Sequence, residues 1–577
     1  MVQNLVLARP PVISRGPNVL LVITDDQGWG DVRSHGNDKI DTPIQDKLAA
    51  QGARFHRFYV SPVCAPTRAS LLTGRDHLRT GTSWVTHQLE TMGSKEVTIA
   101  EMLRQAGYLT GCFGKWHNGA HYPNHPNGQG FDEFFGFCGG HWCNYFDTRL
   151  EHNGKYVKTK GYITNVLTDK AIEFIEKNKN KPFFCYVPYN APHSPFQVPD
   201  RYFDKYKARG FDNRDACIYG MVENIDDNLG RLLNKIDELK LTNNTIVLFL
   251  TDNGPNGKRY NGGMKGAKGS SHEGGVRVPL FIRWPGYIQA GITIEPITAH
   301  IDLLPTIVEL CGIPMPETLP LDGKSLVPLL QGKTEDWPER MLFTTTHFVS
   351  GNISRGSGAV RTPQYRLVKE QKSWALYDMI ADPGQAKDIA RDNPKVVNQL
   401  RNAYDIWLKD VTRDGIDRLP IPVGYIEWPV VEMPAPDGYM SGNIRFNCRI
   451  GWATDWFTNW TSTEDYVWWN IDVVRTGSFE VTLLYTCPAD DVGSKVCVEV
   501  GNRRVEGFVT KAHDPELIFS PDRVESRGNS PYEKVWAPLR LGTIKLDQGQ
   551  AQLQVRALTK TGNQVFDLKA VRLRRID

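Results

Sequence analysis

Two stretches constrain the fold most: Asn18-Val19-Leu20-Leu21-Val22-Ile23 and Thr245-Ile246-Val247-Leu248-Phe249-Leu250. Both are continuous runs of β-branched and apolar residues. They lack the polar alternation of a half-exposed strand, so they describe strands buried on both faces, as a parallel α/β sheet requires. Each run ends in polar, acidic residues, Thr24-Asp25-Asp26-Gln27-Gly28 in one case and Thr251-Asp252-Asn253-Gly254 in the other. Open α/β sheets bind ligands beyond the carboxyl ends of their strands. Adjacent carboxylates repel one another and rarely sit together without a cation, and hard oxygen ligands suit Ca²⁺ or Mg²⁺ better than zinc. Taken alone, the first acidic stretch reads equally well as an exposed turn.

The intervening sequence alternates in character. Residues 42–52, 98–107 and 218–240 have helical patterns, and residues 108–113, 183–187 and 280–284 read as strands. The expected fold class is therefore α/β, with a large, mainly parallel, doubly wound sheet sandwiched by helices over residues 16–325. Residues 338–412 predict a small antiparallel α+β subdomain closed by a helix. The proline-rich stretch 419–436 reads as a linker, and residues 437–577 as a C-terminal β-sandwich of short alternating segments. Trp452, Trp456, Trp460, Trp468 and Trp469 crowd the start of that domain, either as core or as a sugar-stacking face.

At 577 residues the chain exceeds one common domain. Its net charge of +3 is near neutral for this length, and no long basic run is present, which argues against a nucleic-acid partner. No apolar run is long enough for a transmembrane segment. The first 17 residues show no ordered signal-peptide pattern, so export would depend on a signal not present in this sequence. Ten cysteines in so long a chain do not form a disulfide scaffold. Pairing of Cys138 with Cys143, or of Cys487 with Cys497, is open at this level.

Cys64-Ala65-Pro66-Thr67-Arg68-Ala69-Ser70-Leu71-Leu72-Thr73-Gly74-Arg75 places Cys64 at or just before a helix N-terminus, with Pro66 suited to the first turn. Arg68, four residues on, can return its guanidinium to the sulfur position. A cationic fork beside a helix N-terminus favours an anion, although a buried structural cysteine is the plain alternative. Cys64-x-Pro66-x-Arg68 with its continuation resembles the active-site signature of the type I, formylglycine-dependent sulfatases of the alkaline phosphatase-like superfamily.

Further stretches match that family in order. They are Gly114-Lys115-Trp116-His117, Asn190-Ala191-Pro192-His193, the lysine loop Met264–Pro279 with Lys268 at the catalytic position, and Asp302-Leu303-Leu304-Pro305-Thr306. The resemblance implies one Ca²⁺ (Mg²⁺ being possible) held by Asp25, Asp26, Asp252, Asn253 and residue 64. It implies that Cys64 is oxidised to formylglycine by a formylglycine-generating or sulfatase-maturing enzyme. Arg68, Lys115, His117, His193 and Lys268 are then catalytic, with His193, alone or with Lys268, serving the leaving group and His117 the regeneration of the aldehyde.

The expected substrate is a sulfated poly- or oligosaccharide, and the expected location is periplasmic or secreted. Pocket candidates are His87, His141, Trp142, Asn144, Tyr145, Arg149, His347 and Arg355. Rival readings are a phosphodiesterase or phosphonate monoester hydrolase of the same superfamily, and a catalytically silent carbohydrate-binding protein.

Overall fold

The computed structural model describes residues 16–315, 319–335, 337–346, 357–370 and 373–577. The two apolar runs lie side by side in the middle of a ten-stranded sheet. Asn18–Thr24 pairs in parallel with Thr245–Thr251 on one side and with Phe183–Pro188 on the other. Leu109–Lys115 and then Glu133–Phe137 extend the parallel block, and antiparallel strands flank it at both ends. The register brings Thr24 opposite Thr251 and Ile23 opposite Pro188, so three strand ends stop at one level.

Side chains on the two faces alternate into two cores. Val19, Leu21 and Ile23 face one with Leu71, Leu72 and Ile307. Leu20 and Val22 face the other with Ile225, Leu229 and the rest of the long helix Asn213–Glu238. The named residues are fully buried, and each contributes roughly 1.5–3 kcal/mol by leaving water. The sheet is thus fixed from both sides, and its polar strand ends have nowhere to go but the upper rim. The α/β class expected from the sequence is the class observed.

A second, four-stranded antiparallel sheet spans Leu342–Thr345, Gly358–Arg361, Tyr365–Glu370 and Ser373–Asp378, with the helix Pro394–Val411 against it. Two further sheets face each other across a third core that includes Ile471, Val481, Val498, Val555 and Val571, forming the C-terminal β-sandwich.

The proline-rich stretch expected as a linker is instead part of that sandwich. Ile421–Val423 pairs in parallel with Tyr466–Val473, and Val430–Pro434 pairs antiparallel with Asp567–Arg575. Pro422 is tolerated because its strand lies at a sheet edge, where a missing N–H costs no ladder bond. All ten cysteines are free thiols. Among the described residues no helix is long and apolar enough to cross a membrane.

Candidate active site

The rim above the three central strands collects the acidic residues. Asp25 and Asp26 follow the first strand, Asp252 and Asn253 the second, and all four are fully buried. Asp26 adopts a left-handed φ of 69°, a conformation non-glycine residues rarely hold unless their surroundings impose it. Arg259 braces this turn. Its Nη2 donates to the Asp26 carbonyl at 2.8 Å while its guanidinium grips Asp31, whose Oδ2 accepts from the Gly28 amide at 2.7 Å. The Asp26 amide in turn donates to Asp252 Oδ1 at 3.2 Å, binding the two strand ends together.

The helix Cys64–Thr73 begins at Cys64, with all ten residues buried, and closes at Gly74 in the left-handed conformation. Cys64 therefore sits among the unpaired amides of a helix N-terminus. Arg68 donates through Nε and Nη2 to Asp252 Oδ2 at 3.1 and 2.8 Å, and through Nη1 to the Lys115 carbonyl at 2.8 Å. Lys115, the last residue of its strand, places Nζ 2.5 Å from Asp25 Oδ2. Lys268 places Nζ 2.5 Å from Asp26 Oδ1, and its loop is seated by the Gly269 amide on the Pro62 carbonyl beside Cys64.

Three histidines complete the rim. His193 turns Nδ1 to the Ser194 carbonyl at 2.7 Å, so Nδ1 carries the hydrogen and Nε2 faces Asp26 Oδ2 at 3.8 Å. His117, at φ 62°, donates through Nε2 to the Val85 carbonyl at 2.8 Å and leaves Nδ1 buried without a partner. Gly140 presses on the same ring, since a Cβ there would lie 2.1 Å from Nε2. His141 packs edge-on against His193 at 5.8 Å, its Nε2 also unpartnered.

Charge and burial compete throughout the rim. Burial alone would raise Asp25, but Lys115, His193, Arg68 and Lys268 hold its carboxyl well below the usual range. Burial likewise opposes Asp26, and Lys268 and His193 overcome it. Asp252 goes the other way, pushed up to about 7 by burial and by the neighbouring Asp25. Burial, and the positive charge of Lys115, keep His117 neutral; burial followed by His193 does the same for His141. Burial also pushes the Cys64 thiol up, against the pull of Lys115 and Lys268. An unmodified Cys64 is therefore a poor thiolate nucleophile, because reactive cysteines need a lowered pKa.

The donor set fits a hard divalent cation. Asp25 Oδ1, Asp26 Oδ2 and Asn253 Oδ1 are buried oxygens with no hydrogen-bond partner. Ligand atoms of Asp25, Cys64 and Asp252 lie within 4.8 Å of one another, as do those of Asp25, Asp26 and His193. Oxygen-rich, carboxylate-dominated sites of this kind suit Ca²⁺ or Mg²⁺.

The family model for sulfatases matches residues 17–313, and the model for the N-sulphoglucosamine sulphohydrolase C-terminal region matches residues 267–408. The chain belongs to the sulfatase family. N-acetylgalactosamine-6-sulfatase of Canis lupus familiaris is 34% identical over 56% of this chain and 67% of its own length. Arylsulfatase A of Homo sapiens is 33% identical over 66% of this chain and 80% of its own. Among solved structures, Ps i-CgsB in complex with k-i-k-neocarrahexaose is similar at 31% identity and a TM-score of 0.64, covering 68% of this chain and 93% of that one. The sulfatase is accordingly a sulfuric ester hydrolase.

The remaining pocket candidates divide. Tyr145 is buried at the rim, its hydroxyl donating to the carbonyls of His193 and Ser194 at 3.0 Å. His87 lies elsewhere, with both ring nitrogens facing carbonyls of the C-terminal domain, Pro436 at 2.7 Å and Ile450 at 2.9 Å. Trp142 stacks on Phe137 and donates to Thr148, and Asn144 accepts from Ser520 at 2.5 Å. Arg149 stacks over Tyr156 on the edge hairpin. His347 and Arg355 lie outside the described residues.

Sequence reasoning missed two supports. Arg259, which holds Asp26 and Asp31 together, is one. The other is a clamp from the C-terminal domain, in which Gln197 accepts from the Tyr145 amide at 2.8 Å and donates to Asp522 at 2.7 Å. Asp522 is gripped by Arg527, which also donates to the Cys143 carbonyl at 2.8 Å. No motif signals either, because the contacts that join the site to them, Arg259 to Asp31, Gln197 to Asp522 and Arg527 to Cys143, span long stretches of sequence.

Proposed function

We propose that this sulfatase hydrolyses sulfate esters on a poly- or oligosaccharide, using a formylglycine made from Cys64 and one bound Ca²⁺. The observation that carries the reading is the rim itself. Arg68, Lys115, Lys268 and His193 surround a helix-start cysteine beside three unsatisfied ligand oxygens.

When present, the cation supplies charge stabilisation to the sulfate oxygens, and the aldehyde hydrate at position 64 supplies the hydroxyl nucleophile that the protonated thiol cannot. Asp25, Asp26, Asp252, Asn253 and residue 64 would hold the ion. Lys115 and Lys268 are placed to neutralise the non-bridging oxygens of the ester, an electrostatic role typically worth about 10²–10³-fold per donor. Arg68 holds Asp252 and the end of the Lys115 strand in place. His193 keeps one hydrogen on Nδ1 against the Ser194 carbonyl, so its imidazolium form would pass the second proton, on Nε2, to the leaving oxygen and return to the neutral ring. His117 presents an unpartnered neutral Nδ1 that can accept one.

The preference for saccharides is supported by the named activity of the N-acetylgalactosamine-6-sulfatases and by the oligosaccharide bound to Ps i-CgsB. Activation of Cys64 requires a maturing enzyme, and substrates of this class place the working protein outside the cytoplasm. The test is sulfate release from a panel of sulfated saccharides alongside 4-nitrophenyl sulfate and a phosphate diester, with mass spectrometry of the Cys64 peptide. The reading expects an aldehyde at residue 64 and turnover of at least one saccharide. Turnover confined to phosphate or phosphonate esters would refute it.

A further inference from the structure

The five crowded tryptophans of the C-terminal domain do not share one role. Trp460 and Trp469 are fully buried and Trp456 is nearly so, and Trp460 and Trp469 sit in the sandwich core. Trp468, the neighbour of Trp469, points the opposite way from the strand Tyr466–Val473 and is half-buried. It is paired in register with Tyr439, and their rings lie 5.4 Å apart at 10°. Tyr466, two residues along on the same face, is 5.3 Å from Trp468. The Arg418 guanidinium lies 4.6 Å over Tyr439, and that of Arg556 4.9 Å over Tyr466. The result is a strip of three rings with a cation at each end.

Beside this strip is a cavity of about 400 Å³, lined by His87, Arg418, Tyr439, Met440, Arg449 and Trp468. It lies between the two domains, because His87 belongs to the loop of the catalytic domain that also supplies the Val85 carbonyl to His117. Its volume falls in the ordinary range for small-ligand sites, roughly 300–1,000 Å³.

The cations here are uncompensated. Among the described residues no carboxylate oxygen comes within 4.0 Å of the guanidinium nitrogens of Arg418, Arg449 or Arg556. Arg418 Nη1 is buried with no hydrogen-bond partner at all. The acid that interacts with Arg418, Glu90, is pushed up to about 8 by burial and then by Asp437, so it is mostly neutral at pH 7. A planar guanidinium with free donors matches a sulfate's oxygens, and an aromatic face matches the C–H side of a sugar ring.

We propose that this seam pocket is a second saccharide site, taking a sulfated sugar of the polymer away from the ester being cleaved. Arg418 and Arg449 hold its sulfate and Trp468 packs on its ring. The proposal rests on the saccharide reading above and adds to it a reason for the C-terminal domain to be attached.

The experiment uses the full chain and the variants Trp468→Ala, Arg418→Ala and Arg418→Lys, each checked for an unchanged melting curve. A sulfated galactan hexasaccharide and its desulfated form are titrated calorimetrically. Kinetics are measured on the sulfated polymer and on 4-nitrophenyl sulfate. The expected result is a second binding event in the wild type, absent for the desulfated sugar, and weakened tenfold or more by either alanine variant but less by Arg418→Lys. KM for the polymer rises correspondingly, while 4-nitrophenyl sulfate kinetics do not change. Equal binding of sulfated and desulfated sugars, or equal affinity in wild type and both alanine variants, overturns the proposal. If no sulfated saccharide is turned over at all, the functional reading fails, while the titration still decides whether the pocket binds one.

Discussion

Arg527→Ala tests whether the C-terminal domain is a working part of the active site. The Arg527 side chain is 3% exposed and that of Asp522 13%. Arg527 meets the two Asp522 oxygens at 2.6 and 2.8 Å and the Cys143 carbonyl at 2.8 Å. Removing it strands a mostly buried carboxylate and a loop carbonyl at once. Breaking a buried pair costs about 3–5 kcal/mol. The partial exposure of Asp522 argues for the lower end, about 3, with about 1 more for the carbonyl. Asp522 holds Gln197, which holds the Tyr145 amide, and Tyr145 holds the His193 carbonyl. The loss is therefore expected to loosen the backbone of His193.

The prediction is a drop in kcat/KM of tenfold or more, together with a lower first melting transition. Asp522→Asn added to Arg527→Ala should restore part of both, because the stranded charge is gone, giving a coupling of about 2 kcal/mol in a double-mutant cycle. The assay is steady-state sulfate release with a thermal melt of all four proteins. Unchanged kinetics in Arg527→Ala, or strict additivity in the cycle, would show that the C-terminal clamp does not support His193.

Four further outcomes follow from the same geometry. Cys64→Ala should abolish sulfate release while leaving the melt intact, and wild-type turnover by that variant would exclude residue 64 as the nucleophile. Chelation by EGTA should remove activity and lower the melting temperature, with Ca²⁺ restoring both; ion at 100 times its Kd would add about 2.7 kcal/mol. Glu90 is raised to about 8, first by burial and then by Asp437, against 4.5 in an unstrained setting. Its folded form therefore holds a proton that the unfolded chain releases, and stability should fall as pH rises from about 4.5 towards 8. Glu90→Gln should flatten that slope, and an unchanged pH–melt profile would count against the assignment. His141→Ala should cut kcat/KM tenfold or more and also lower the melting temperature, because it removes a buried ring packed against His193; unaltered kinetics would reduce His141 to packing.

The parts of this molecule that are legible in the sequence are those written locally. Asp25, Asp26, Asp252 and Asn253 follow apolar runs whose burial on both faces forces a central parallel position, and the rim follows from that. Cys64 and Arg68 are one helical turn apart, so their proximity is a property of the helix. Arg259, Arg527 and Gln197 act across the fold on partners that no spacing rule connects to them. The proline-rich stretch misleads for a related reason: proline forbids a central strand, but Pro422 sits at an edge, and edge position is decided by topology.

The tryptophans carry more information than their crowding suggests. In a strand, successive side chains face opposite sides, so Trp468 and Trp469 cannot both be core. Val467, Trp469, Ile471 and Val473 form the apolar phase of Tyr466–Val473, and all four are buried. Parity alone therefore assigns Tyr466 and Trp468 to the outer face. What parity cannot supply is Arg418, which reaches the strip from outside the strand, and its unpaired charge is what makes an outward tryptophan a binding surface rather than a covered ring.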